Sequence, residues 1–127
     1  MNTLVLVAAG GAAGAVARYL IGLQTLRLFG AAWPYGTLAV NVLGGFLMGA
    51  LAGLLAIRGG PDQEKLRLLL SVGVLGGFTT FSAYSLEVVA MIERRAWLQA
   101  ATYSLGSVVL SVAALFAGLW LIRRLFA

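Results

Sequence analysis

The residues with the clearest chemical potential lie in one apolar stretch, Gly73-Val74-Leu75-Gly76-Gly77-Phe78-Thr79-Thr80-Phe81-Ser82-Ala83-Tyr84-Ser85. Two adjacent glycines followed by two β-branched threonines make a poor helix interior. The stretch therefore predicts a membrane helix broken near its centre. Freed carbonyls at such a break suit cations, and the N-terminus of the following half-helix suits anions. The simpler alternative is a glycine kink with no ligand. Beyond the break, Phe81, Tyr84 and Ser85 stand at i, i+3 and i+4 and share a helical face. Aromatic rings carry a positive edge, and hydroxyls donate hydrogen bonds. Together they offer a small, strongly hydrated anion the donors that must replace its water. An isolated aromatic pair would equally serve as packing.

Further polar groups lie inside otherwise apolar segments. Asn41 places an amide where it is costly without a partner. Tyr103, Ser107 and Ser111 recur every four residues and form one hydroxyl stripe. Glu87 is the only acid within a span. Each has a structural alternative: an interhelical hydrogen bond for Asn41, back-bonding to helix carbonyls for the serines, an ion pair for Glu87. Arg18 either lines a watery vestibule that attracts anions or snorkels to the interface. Gathered around one interior, these groups would line a polar path.

The elements that must position them are membrane helices. The chain has 127 residues, 61% of them hydrophobic and only 10% charged, against about a quarter charged in soluble domains. So short and apolar a chain cannot cover itself with polar groups in water; lipid is its solvent. Four segments near the length of a bilayer crossing predict one four-helix domain over 1–127, with spans at about 4–29, 37–57, 66–92 and 97–122. The Ala-rich run after Met1 has no basic residues before it and continues past any cleavage site, so it is read as the first span. Trp33-Pro34-Tyr35-Gly36, Gly59-Gly60-Pro61-Asp62 and Glu93-Arg94-Arg95 supply the turns. Trp33, Trp97 and Trp120 fall near helix ends, where indoles favour the membrane interface. Gly45, Gly49 and Gly53, and Gly10 and Gly14, form ladders at spacing four that let helix backbones approach closely.

The net charge is +5. The basic residues sit in short clusters between spans, a pattern for headgroups and not for a nucleic-acid face. One side carries Arg58, Lys65, Arg67, Arg123 and Arg124; the other carries Arg27, Arg94 and Arg95, with Arg18 nearby. So small an asymmetry sets orientation weakly, leaving open insertion both ways round or a modest preference for one. The chain has no cysteine and no histidine, which excludes thiol chemistry and the commonest neutral-pH proton shuttle. Little acid–base equipment remains for an enzyme.

At these residues the chain resembles the Fluc (CrcB) family of fluoride channels along essentially its whole length. The most specific element is Gly76-Gly77-Phe78-Thr79-Thr80-Phe81-Ser82, close to the family's Gly-Gly-x-Thr-Thr-Phe-Ser signature. Trp33-Pro34-Tyr35-Gly36-Thr37-Leu38, then Asn41 and Gly44-Gly45, support it, as does Glu87 after the break. The resemblance implies an antiparallel, dual-topology homodimer with two pores in the cell membrane. It also implies a structural sodium ion at the dimer centre, held by the backbone carbonyls of Gly76 and Thr79 from both subunits. The pore phenylalanines map onto Phe81 and Tyr84; the second departs from the family pattern, keeping a ring edge and adding a hydroxyl. The pore asparagine maps onto Asn41 and the hydroxyl track onto Tyr103, Ser107 and Ser111, with Thr80, Ser82 and Glu87 as neighbours of the path. The implied function is passive export of cytoplasmic fluoride down its gradient, giving fluoride resistance, with no organic cofactor.

Two rivals share parts of this pattern. Small dual-topology multidrug exporters have four spans but a key glutamate in the first, where this chain has Arg18 and no acid. A non-transporting membrane assembly subunit would account for the glycine ladders but not for the hydroxyl and aromatic groups.

Overall fold

The computed structural model describes residues 2–61 and 63–126, and those residues form helices joined by short turns. The first helix, Thr3–Phe29, begins where the Asn2 side chain accepts the Leu4 amide at 2.8 Å. This capping bond satisfies one of the amides left open at a helix start. The second helix, Tyr35–Arg58, follows Trp33-Pro34 and ends at Gly59 and Gly60, whose φ values of 59° and 125° favour glycine. The fourth, Trp97–Phe126, extends four residues past the predicted end at 122. Arg123 and Arg124 in its last turn complement the negative end of the helix dipole and continue the helix.

The third span is composite. Gln63–Leu66 is α-helical, Arg67–Leu75 winds as a π-helix and Gly76–Phe78 is again α-helical. Thr79 and Thr80 then run extended, with φ/ψ of −86°/157° and −151°/124°, and Phe81–Glu93 resumes the α-helix. The glycine pair itself stays helical, Gly76 at φ −62°. The π winding has no counterpart in the sequence reading; π segments are rare and concentrate at functional sites.

Among the described residues four helical segments are long and apolar enough to cross a membrane: Thr3–Phe29, Tyr35–Arg58, the composite Gln63–Glu93 and Trp97–Phe126. The second and fourth pack in parallel. Gly45 meets the Ser111 carbonyl, Gly49 the Leu115 carbonyl and Gly53 the Ile122 side chain, while Gly118 answers against the Phe46 carbonyl. The first helix lies parallel to residues 67–78, with Gly10 and Gly14 against the backbone of Leu69, Gly73 and Val74. In lipid such contacts gain van der Waals energy, not hydrophobic burial. A Cβ on Gly49 or Gly14 would collide with a carbonyl oxygen, so the ladders set the distance between helices. Most large apolar side chains outside these seams are exposed on the protomer surface, as lipid or a partner requires.

The turn between Glu93 and Trp97 closes as a Schellman motif. Arg95 N–H donates to the Ile92 carbonyl and Ala96 N–H to the Met91 carbonyl, each at 2.9 Å. Arg95 takes the left-handed position at φ 61°, where glycine is usual. Just inside lies a small core of Met91, Ala100 and Tyr103, against which Trp33, Leu38, Tyr84 and Val88 pack. Trp33 stands at the start of the second helix, as expected, and packs half-buried against this core, whereas Trp97 and Trp120 are exposed.

Candidate functional site

The interruption at Thr79-Thr80 needs partners for its backbone, because unpaired peptide groups at membrane depth are costly. The second helix supplies them. Thr80 N–H donates to Asn41 Oδ1 at 2.8 Å, and Asn41 Nδ2 donates to the Thr80 carbonyl at 2.9 Å. One amide side chain thus serves both peptide groups of one residue, 39 positions away. Val40, only 1% exposed, seats this part of the second helix. Thr80 Oγ1 accepts the Ala83 amide at 3.1 Å, capping the helix that resumes at Phe81, and lies 3.2 Å from Ser82 Oγ. Thr79 Oγ1 turns back to the Leu75 carbonyl at 2.9 Å.

A second polar group forms around Glu87. Thr37 Oγ1 donates to its Oε2 and the Tyr103 hydroxyl to its Oε1, both at 2.9 Å. Among the described residues Glu87 makes no ion pair; two hydroxyls hold it in place of a cation. Thr37 lies one helical turn before Asn41. Thr37 has no role predicted from the sequence, although its spacing of four from Asn41 places both on one helical face.

Rings connect the two groups. Phe81 and Tyr84 lie 5.2 Å apart between centroids, Tyr84 and Tyr103 5.5 Å apart, and Trp33 meets Tyr103 edge-on at 6.3 Å. Tyr103 is buried at 2% exposure and Phe81 stands open at 76%. Ser107, one turn beyond Tyr103, is buried, and its Oγ has no hydrogen-bond partner among the described residues. Ser111, half-buried, lies another turn on, its carbonyl beside Gly45. Ser85 back-bonds to the Phe81 carbonyl at 2.9 Å.

Arg18 reaches the same region from the first helix, where its Nε–H donates to the Gly77 carbonyl at 3.3 Å. This ties the guanidinium to the interruption and accounts for a cation inside the first span. Two cavities open nearby. One of about 330 Å³ is lined by Trp33, Thr37, Glu87, Met91 and Arg94 among others. The other, of about 260 Å³, is lined by Arg18, Thr37, Val40, Thr80 and Ala83 among others. They share Gly22, Leu26, Gly36 and Thr37. The structure thus brings Asn41, Thr80 and Ser82 into one group and Glu87, Tyr103 and Tyr84 into a second. Arg18 sits on the first-helix side, and Phe81 faces out of the protomer.

A family model described as CrcB-like protein, Camphor Resistance (CrcB) matches residues 5–119. This chain belongs to the CrcB family. It is 73% identical over 127 residues to the Fluoride-specific ion channel FluC of Phenylobacterium zucineum, covering 100% of both chains. It is 65% identical to the protein of that name from a Caulobacter species, covering 100% of this chain and 99% of the relative. With that from Caulobacter vibrioides it shares 61% over the full length of both. Membership in the CrcB family and four apolar crossing helices make the chain a multi-pass cell-membrane protein.

Proposed function

We propose that this protein is a fluoride-specific passive channel, not an enzyme, that carries cytoplasmic fluoride out of the cell down its electrochemical gradient and so confers fluoride resistance. The observation that carries the reading is full-length identity of 73% to a relative named as a fluoride-specific ion channel. The site geometry supports it. A strongly hydrated anion needs donors in place of water, and Asn41 and Thr37 on the second helix and Tyr103 and the unpartnered Ser107 on the fourth offer them. Fluoride passing Glu87 competes with the carboxylate for the Thr37 and Tyr103 hydroxyls. Arg18, beside the 260 Å³ cavity, supplies the attracting charge at a vestibule. Selectivity comes from donor number and pore width.

The working unit in this proposal is an antiparallel, dual-topology homodimer. Its support is the small charge asymmetry between the two sides, together with an aromatic path residue, Phe81, that is 76% exposed in one protomer. A structural sodium ion at the dimer centre belongs to the same proposal, held by the carbonyls of Gly76 and Thr79 from both subunits. The donor chemistry fits. Among the described residues no three acidic side chains gather to hold a metal, whereas neutral carbonyls suit a weakly bound monovalent cation. The bound ion would supply a fixed positive charge between two anion paths.

The deciding experiment is efflux from liposomes containing the purified protein, with fluoride and chloride followed by ion-selective electrodes. Fast fluoride release without chloride release is expected. No release from a folded dimeric preparation would overturn the channel reading.

A further inference from the structure

In an unbroken helix the Gly76 carbonyl would accept the Thr80 amide, and the Thr79 carbonyl would accept the Ala83 amide. Neither happens here. Thr80 N–H goes to Asn41 Oδ1, and Ala83 N–H goes to Thr80 Oγ1. The Gly77 carbonyl between them takes the Arg18 guanidinium. Two side chains, one from another helix and one local, therefore divert the two amides that would otherwise close Gly76 and Thr79.

From this geometry we infer that Asn41 and Thr80 are positioning residues that hold the Gly76 and Thr79 carbonyls open for a monovalent cation. This rests on the sodium reading above and adds to it the residues that make those carbonyls available. For Asn41 the role is separate from any donation to a passing anion, because its Oδ1 does the diverting while Nδ2 donates. The return bond from Nδ2 to the Thr80 carbonyl makes a two-point clamp, so the amide cannot rotate away without losing both bonds. Thr80 also has an extended backbone, and its β-branched side chain favours that conformation. A hydrocarbon side chain at position 41 removes the acceptor that draws the Thr80 amide away from the Gly76 carbonyl.

The test uses full-length protein in detergent micelles. Its thermal unfolding is compared in sodium chloride and in choline chloride at equal ionic strength, for the wild type, Asn41→Leu, Thr80→Val and Thr80→Ser. Leucine and valine keep size and remove the diverting oxygen; serine keeps it. Sodium is expected to raise the wild-type and Thr80→Ser midpoints by about 5 °C, as a ligand specific to the folded state does. In Asn41→Leu and Thr80→Val that shift should vanish. Folded Asn41→Leu and Thr80→Val with the full sodium shift would overturn the inference and leave the sodium reading standing. A wild type with no sodium shift would overturn both. If Asn41→Leu does not fold, the contrast between Thr80→Val and Thr80→Ser decides.

Discussion

The Tyr103 hydroxyl donates to Glu87 Oε1 at 2.9 Å, joining the fourth helix to the second half of the third span within the membrane. Tyr103 is buried, and its ring is held between Tyr84 and Trp33. Tyr103→Phe keeps the ring and leaves that carboxylate oxygen without its donor. A hydrogen bond to a charged group contributes about 1.5–3 kcal/mol, and less where the group is only half-buried, as Glu87 is. The expected result is a lower unfolding midpoint in detergent and slower fluoride efflux, with the size-exclusion profile of the wild type retained. An unchanged midpoint and rate would remove Tyr103 from both roles.

Phe81→Ile separates conduction from assembly. The side chain is 76% exposed in the protomer and meets Tyr84 through its ring, so truncation should cost the protomer less than about 1 kcal/mol. Loss of the ring edge should lower fluoride efflux at least about tenfold, the scale of a 1.4 kcal/mol barrier change. Efflux at the wild-type rate would assign Phe81 to packing.

Asn41→Asp places a negative charge in the proposed path and removes the amide donor to the Thr80 carbonyl. Fluoride efflux is expected to fall to the background of empty liposomes. A fluoride-selective electrode reads the outcome directly, and normal flux in this variant would count heavily against Asn41 as a path residue.

Arg95→Gly addresses the fold alone. The left-handed position at φ 61° costs a side-chain-bearing residue about 1 kcal/mol, and glycine closes a Schellman turn without that cost. The variant should unfold at a higher temperature, with fluoride efflux within twofold of the wild type. A lower midpoint would show that the Arg95 charge stabilises the turn by more than the strain it carries.

Much of this protein was legible in the residues themselves. Hydropathy alone located four spans, because a bilayer demands runs of apolar residues of set length. Gly59-Gly60 and Trp33-Pro34 marked turns through their backbone chemistry, and Gly76-Gly77-Phe78-Thr79-Thr80-Phe81-Ser82 pointed to the family. The glycine ladders announced close helix packing. All of these signals are local: they depend on a residue and its near neighbours in the chain.

The pairings were decided only in three dimensions. Asn41 was legible as a costly amide, but not as the partner of both peptide groups of Thr80. Glu87 was legible as a lone acid, but not as one held by Thr37 and Tyr103. Arg18 reaches Gly77 across 59 residues, and Trp33 packs edge-on against Tyr103, 70 positions along the chain. Even the extended residues proved to be the two threonines, while the glycines stayed helical and let the first helix approach, with Gly77 against the Gly11 carbonyl. The physical reason is common to all. Which side chain meets which depends on the rotation and separation of whole helices, and those are set by backbone approach at Gly14, Gly49 and Gly118 against residues of other helices.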